Sequence, residues 1–380
     1  MKIAVISSTV FAVGQGPQGL IGYGGLEQLA WQQAEGLGRK GHEVTLVAPD
    51  GSRCDHAAVF PTGPPAQHSE EMAYEKYWKL LPEFDAVIDH SWSKASLQLK
   101  SEGRLKAPSL CVCHAPVDTM FSSMPPVERP CFVCISEDQG SHFRALFGRD
   151  CRVAHNGVDM DFYRPLDVPR SGRFLFLARF SRIKGGSLAI DACRNAGAGL
   201  DLVGDTSITN EPEYLEECRK KCDAFPIATV PESLGKGGGR LDRMIRMVGP
   251  AKRGECVWWF SQAHCLLHPN FPAPNLGHPG FREPFGLAPV EAMACGTPVI
   301  GGNYGALGET VKHGETGWLV RSLEELTGAV MANTYSDAAY FADTVRMRLR
   351  CREWAGQFSL PRFIDRWEQL CQEAVETGGW

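Results

Sequence analysis

Short apolar runs alternate with longer amphipathic stretches along this chain, and the alternation occurs twice. In the first half the apolar runs are Lys2–Ser7, Glu43–Ala48, Ala86–Asp89, Ser109–Cys113, Cys131–Ile135 and Cys151–Ala154, each of strand length. Between them, Leu26–Lys40 and Glu137–Phe147 carry apolar residues at helical spacing. The stretch GRKGHEVTLVAPD shows the repeating theme: basic residues close a helix, Gly41 caps it, and a Val- and Leu-rich strand follows. Strands that are apolar throughout, alternating with helices, predict a parallel sheet covered on both faces.

The pattern breaks at Phe162–Arg173, where two prolines and no periodicity predict a linker. It then restarts: the strands FLFLAR, LDLVGD, IRMVG, HCLLHP and PVIGG are interleaved with helices predicted at Gly185–Asn195, Glu213–Ala224, Arg253–Gln262 and Leu287–Cys295. Over 380 residues this reads as two doubly wound α/β domains of similar size, 1–163 and 164–357. An amphipathic helix, Phe358–Glu376, opens a closing segment, 358–380, that is expected to return to the first domain. The Gly-rich, aperiodic stretch Phe225–Arg243 reads as a long surface loop inserted before a strand.

Composition narrows the class. A net charge of −5 offers no general attraction to nucleic acid or an anionic membrane. No apolar run approaches ~18 residues, so no spanning helix is expected. No N-terminal signal is visible, which makes the 14 cysteines reduced thiols of a cytoplasmic protein, with peripheral membrane attachment left open. Cys131 and Cys134 form a C-x-x-C, but inside CFVCIS, which reads as a buried strand, so they are expected to be core thiols. CVCHAP lacks haem-attachment spacing and has no further zinc ligands nearby, so no metal site is expected.

Gly14, Gly16 and Gly19 match the dinucleotide fingerprint G-x-G-x-x-G after an apolar strand. That fingerprint needs its third glycine inside the start of a helix and an acidic residue about 20 positions on. Here Pro17 follows the second glycine, the helical pattern starts only near Gly24, and Asp50 lies too far along. Nicotinamide or flavin binding is therefore not expected. Gly24 and Gly25 are better placed, since a phosphate at the start of the following helix would meet unpaired amides and the positive dipole end. A tight turn that lets this helix rest on the first strand is the equal alternative.

The richest stretch is REPFGLAPVEAMACGTPVI (Arg282–Ile300). Glu283 lies in a loop and Glu291 in the first turns of a helix. The amides of Phe285, Gly286 and Leu287 stand at that helix's N-terminus. Two carboxylates at different depths suit a polyol, because they accept hydrogen bonds from its hydroxyls; a surface residue and a cap are the plain alternatives. In LARFSRIKGGSL, Arg179 ends a strand and Lys184 precedes a helix, which suits a diphosphate, with solvated loop charges as the alternative.

Together GYGGLE, HNGVDMDFYRP, ARFSRIKG, LVGD and EPFGLAPVEAMACGTPVI, with GETVKHGETGWLV after it, resemble a family 4 glycosyltransferase over nearly the whole chain and in the right order. The resemblance implies the GT-B fold, two Rossmann-like domains with an interdomain cleft, and retaining transfer of a sugar from a nucleotide-diphosphate sugar without a metal. It gives Arg179 and Lys184 the donor diphosphate and Glu291 the ribose. Glu283 and the amides of Phe285, Gly286 and Leu287 would hold the transferred sugar. Gly24 and Gly25 would approach the phosphate. Backbone groups near Val248 and Gly249 would meet the base. His114 falls where the family often has a histidine near the reacting sugar, and His90 falls near another such position. The residues alone make His114 a core or capping histidine. The implied course is front-face attack, the leaving phosphate oxygen taking the acceptor's proton. No cofactor is implied beyond the UDP-, GDP- or ADP-linked donor, and the acceptor is a hydroxyl of a saccharide, lipid or small molecule. A nucleotide-sugar epimerase or a non-catalytic nucleotide-sugar-binding protein on the same fold are the rival expectations. Two stretches depart from the family's pattern: the Phe225–Arg243 insertion and a long approach to Glu283, HPNFPAPNLGHPGFREPFG. Base, sugar, acceptor, linkage and oligomeric state stay open.

Overall fold

The computed structural model describes all residues except 17–18, 22–24, 67, 121–126, 207–210, 225–242 and 335–337. Gly24 and most of the 225–243 insertion lie outside the described residues. The chain divides into two compact units, Met1–Gly157 with Ser359–Trp380, and Val158–Phe358. Residues 158–173, read above as domain end and linker, group with the second unit. Tyr163 is buried there and the Leu166 amide donates to Ser261 Oγ at 3.0 Å.

The first unit holds β1 (Lys2–Ile6), β2 (Gly14–Gly16), β3 (Gly19–Ile21), α1 (Gly25–Arg39), β4 (Glu43–Ala48), β5 (Ala58–Pro61), α2 (Glu70–Tyr77), β6 (Ala86–Asp89), α3 (Ala95–Ser101), β7 (Ser109–Cys113), α4 (Val117–Met120), β8 (Cys131–Cys134), α5 (Glu137–Phe147) and β9 (Arg152–Val153). Its seven-stranded sheet runs β5-β4-β1-β6-β7-β8-β9, all parallel. β7 and β8 are buried along their whole length, as apolar runs under two helical layers require. The fingerprint glycines do not form a strand-to-helix turn. β2 and β3 pair as an antiparallel hairpin with Gly16 opposite Gly19, so the third glycine lies in a strand.

The second unit holds β10 (Phe174–Leu177), α6 (Gly186–Ala196), β11 (Leu200–Val203), α7 (Pro212–Lys220), β12 (Ile245–Gly249), α8 (Arg253–Gln262), β13 (Leu266–His268), α9 (Leu287–Ala294), β14 (Val299–Gly302), α10 (Leu307–Thr310), β15 (Gly317–Val320), α11 (Leu323–Ala332) and α12 (Ala338–Ala355). The order β12-β11-β10-β13-β14-β15 is the doubly wound 3-2-1-4-5-6 arrangement. Phe176, Phe180, Leu188, Leu202 and Tyr214 are among the side chains of its core. The two Rossmann-like α/β domains expected from the sequence are present.

The chain then returns to the first unit in α13 (Leu360–Thr377). Its apolar stripe of Phe363, Ile364, Trp367, Leu370, Cys371 and Ala374 is buried. Lys40, at the end of α1, meets Asp365 at 2.8 Å and Glu368 at 2.6 Å, and His42 meets Glu368 at 2.8 Å. Most of the stabilisation comes from the apolar stripe, because such half-exposed ion pairs contribute little. Trp367 is 0% exposed. Trp367→Ala is expected to lower stability by about 3–5 kcal/mol, the cost of a large core truncation. Urea unfolding followed by intrinsic fluorescence and circular dichroism measures it, and a loss under ~1 kcal/mol would show that α13 is not part of the core.

Candidate functional site

In a doubly wound sheet, ligands bind beyond the carboxyl ends of the strands where the strand order reverses. In the second unit that point lies between β10 and β13. Arg179 follows β10, His268 is the last residue of β13, and both belong to this edge. After Arg179 comes a 3-10 turn, Arg182–Lys184. Glu211 holds the turn: it accepts from the Ser181 hydroxyl and, at 3.0 Å, from the Arg182 amide.

Lys184 Nζ lies 2.8 Å from Glu283 Oε2. His268 Nε2 donates to the same oxygen at 3.0 Å. Both partners thus converge on Oε2, and Glu283 Oε1 has no hydrogen-bond partner among the described residues. Burial pushes the Glu283 carboxyl upward, but the Lys184 ammonium and His268 more than offset it and hold the group down to about 2. The backbone of Glu283 is fixed as well. Its amide donates to Tyr304 O at 3.2 Å and its carbonyl accepts from the Ala306 amide at 2.8 Å. This needs Gly305, which has φ +88°, and whose Cβ, if present, would stand 2.4 Å from the Glu283 nitrogen.

The next segment opens α9. Gly286, in the left-handed conformation, is its N-cap residue. The Gly286 and Leu287 amides have no partner among the described residues, which leaves donors at the positive end of the helix. Phe285 is buried, its ring 5.5 Å from that of Phe358, so its side chain anchors the loop. One turn into α9, Glu291 takes a hydrogen bond from the buried Tyr163 hydroxyl and has Arg253 at 4.0 Å. Burial raises the Glu291 carboxyl above the ordinary range, and Arg253 and Tyr163 counter that only in part. The two glutamates are therefore shifted in opposite directions.

Arg179 is partly exposed and makes no hydrogen bond or ion pair with the described residues. The N-terminus of α6, expected as part of a diphosphate site, is already capped: the Ser187 amide donates to the Tyr214 hydroxyl at 2.9 Å. The cationic turn therefore stands beside a helix whose end is in part satisfied. Val248 and Gly249 end β12 at the same sheet edge, half-buried, with Gly249 O accepting from the Gly204 amide at 2.9 Å.

In the first unit the corresponding reversal lies between β1 and β6. His90 follows β6 and His114 follows β7. His90 Nδ1 and His114 Nε2 are 2.8 Å apart, and His90 Nε2 donates to Gln33 Oε1 at 2.6 Å. With that proton on Nε2, a neutral His90 accepts from His114 at Nδ1. Burial lowers His90 to about 3, aided by the buried ammonium of Lys94, and burial, His90 and Lys94 lower His114 as well. The pair is uncharged at neutral pH. Lys94 itself donates to the carbonyls of Asp89, at 3.3 Å, and Ser91. Gly25 is the first residue of α1 and is exposed. Cys131 and Cys134 are buried free thiols of β8. Among the described residues no cluster of three or more His, Cys, Asp or Glu is placed to hold a metal ion, and no helix is long and apolar enough to cross a membrane.

Sequence reasoning missed His268, Tyr163, Arg253, Gln33 and Lys94. His268 was accessible as the terminal residue of a switch-point strand. Tyr163 was hidden in a segment without periodicity.

Two family models match the chain: Glycosyltransferase Family 4 over residues 23–162 and Glycosyl transferases group 1 over residues 240–331. A D-inositol 3-phosphate glycosyltransferase of Mycobacterium tuberculosis is 25% identical over 263 residues, covering 63% of this chain. The match takes in 52% of that protein, so the chain spans about half the length of the curated relatives it matches. Among solved structures, the sucrose-phosphate synthase of Thermosynechococcus elongatus aligns with TM-score 0.71 at 19% identity, covering 99% of this chain and 100% of that one. HepE of Anabaena, solved in complex with UDP-glucose, aligns with TM-score 0.67 at 18% identity, covering 99% and 100%. The chain has the GT-B fold, two Rossmann-like α/β domains, that these solved structures share.

The depressed Glu283 carboxyl makes a pH prediction. A folded value of about 2 against an ordinary 4.5 means that the ionised group stabilises the folded state above its unfolded value, and that this is lost as pH falls from 4.5 towards 2. The stability difference between the wild type and Glu283→Gln is expected to shrink across that window in urea titrations. A difference that stays constant there would show that Lys184 and His268 do not hold the charge.

Proposed function

We propose that this protein is a glycosyltransferase that moves a hexosyl group from a nucleoside-diphosphate sugar to a hydroxyl acceptor, with retention and without a metal. One observation carries the reading. Glu283 is buried, ionised and fixed on one oxygen by Lys184 and His268, while its other oxygen has no partner among the described residues, one loop ahead of the unpaired amides of α9. Such a carboxylate accepts hydroxyl hydrogens of a bound sugar, and the cation and amides beside it suit the diphosphate.

In this reading Arg179 and Lys184 neutralise the pyrophosphate, and the amides of Phe285, Gly286 and Leu287 meet sugar or phosphate oxygens. Glu291 accepts from the ribose hydroxyls, its carboxylate oriented by Tyr163 and Arg253. The backbone at Val248 and Gly249 meets the base. As the bond from the anomeric carbon to the phosphate oxygen breaks, positive charge grows on the ring and negative charge on the leaving diphosphate. Lys184 and Arg179 stabilise the latter. The acceptor oxygen bonds to the same face of the anomeric carbon, and its proton passes to the departing phosphate oxygen. Glu283 stays ionised throughout and is not a nucleophile, because Lys184 and His268 stabilise its charge where it is. In the first unit, His114 is assigned by resemblance to the transferred sugar, and Gly24 and Gly25 to the phosphate. The uncharged His90–His114 pair suits hydrogen bonding to a hydroxyl. The complex of HepE with UDP-glucose makes UDP-glucose the first donor to test.

A thermal-shift panel of UDP, GDP, ADP and dTDP with their sugars identifies the donor, and proton NMR of the product reads the anomeric configuration. With the donor so found, Lys184→Ala is expected to lower transfer by at least ~100-fold, the scale of one lost charge-stabilising donor. Near-normal turnover, or release of a modified nucleotide sugar without transfer, would overturn the reading.

A further inference from the structure

The long approach to Glu283 departs from the family's pattern, yet it is a built element. Pro274–Leu276 form a 3-10 turn. Ala273 and His278 exchange both backbone hydrogen bonds, at 2.8 and 3.1 Å. Asn270 closes the base of the segment: its side-chain N–H groups donate to Phe281 O and Tyr304 O, both at 2.9 Å, and its backbone carbonyl accepts from the Phe281 amide at 2.8 Å.

His278 is 1% exposed and reaches out of this segment into the cationic turn. Its Nδ1–H donates to Arg182 O at 2.9 Å, and its Nε2 is 3.0 Å from the Ser187 hydroxyl, which donates to it. Burial lowers the imidazole, which favours the neutral form that this pattern requires. The two partners bracket Lys184 in sequence, two residues before it and three after. The turn and the segment also touch at a second place. A Cβ at Gly185, which has φ +73°, would fall 2.1 Å from Pro269 O. At the far end of the segment the Phe281 ring lies 4.5 Å from Lys184 Nζ. The ammonium therefore stands between an aromatic face and the Glu283 carboxylate.

We propose that residues 269–282 are a fixed wall of the donor site and that His278 is the positioning residue that locks this wall onto the turn carrying Lys184. The inference rests on the reading of Lys184 as a donor-binding cation. Removing the imidazole leaves Arg182 O and the Ser187 hydroxyl without partners in a buried place and frees the turn to relax. A cation displaced by about 1 Å loses much of its effect on a bound anion.

The test uses the full chain and isothermal titration with UDP, GDP, ADP and dTDP in turn. For the diphosphate that the wild type binds, His278→Ala is expected to weaken Kd by at least ~10-fold, the scale of two lost buried hydrogen bonds. His278→Gln keeps an N–H for Arg182 and an oxygen for Ser187 and is expected to recover to within ~3-fold of wild type. Donor KM rises more than kcat falls, and amide exchange speeds up together in 181–187 and 269–282. Should His278→Ala not fold, Ser187→Ala removes one of the two bonds and is expected to give an intermediate loss. A wild-type Kd in His278→Ala, or in Ser187→Ala where that stands in, overturns the inference alone. So does a His278→Gln no better than His278→Ala, or faster exchange confined to 269–282. A wild-type chain that binds none of the four diphosphates overturns the donor reading and the inference with it.

Discussion

Burying the Glu283 carboxylate costs several kcal/mol of hydration, and the second unit's site is arranged around offsetting that cost. Lys184 comes from the loop after β10, His268 from the end of β13, and the carboxylate from the loop ahead of α9. Lys184, 99 residues ahead of Glu283, and His268, 15 ahead, meet it at one oxygen. A buried ion pair gives little net stability against an apolar alternative, but breaking one partner out of it is costly. The arrangement is therefore better explained by what it specifies than by what it stabilises. It sets the turn, the strand end and the helix start in one register, and it leaves Glu283 Oε1 free of protein partners among the described residues.

The first unit handles charge in the opposite way. Its two histidines follow β6 and the neighbouring β7, and the buried cation that acts on them is the Lys94 ammonium, held by the carbonyls of Asp89 and Ser91. The Asp89 carboxylate is occupied by the Ser91 and Ser96 hydroxyls and amides. Burial disfavours charge on both imidazoles and the Lys94 ammonium adds to that, so His90 and His114 stay neutral and share a single N–H. One sheet edge thus presents a stabilised anion, the other a neutral imidazole pair.

The fully buried strands of both sheets were legible because burial on two faces forces them to be apolar from end to end; Ala86–Asp89 and Ser109–Cys113 fall where the pattern put them. α2 was not, because only Ala73 and Tyr77 of its eight residues are buried and its start depends on the Ser69 side chain. β15 was missed since GWLV is four residues long, two of them only partly buried. Within the site, Glu283 and Lys184 could be read because charged residues beside Gly-rich helix starts are conspicuous. Their pairing, and the part of His268, could not, because they depend on which strands are neighbours. The glycine fingerprint shows the same limit from the other side. Its letters match, but glycine permits a hairpin as readily as a strand-to-helix turn, and β2 and β3 take the hairpin.

Topology also explains how a long segment can lie so near Glu283 without disturbing it. Lengthening a loop adds only a slowly growing entropic cost, about 0.6 kcal/mol per doubling. What a long loop lacks is a fixed conformation. Residues 269–282 leave β13 and must reach Glu283, so both ends are held by the sheet edge, and Asn270 ties them together through Phe281 and Tyr304. His278 adds a third point on a neighbouring strand's loop. Three anchors over fourteen residues remove most of the freedom that length would introduce, so the segment contributes a surface instead of a disordered excursion. Because that surface includes the ring beside Lys184, sequence changes within it alter the surroundings of the cation while leaving Glu283, His268 and the sheet beneath them untouched.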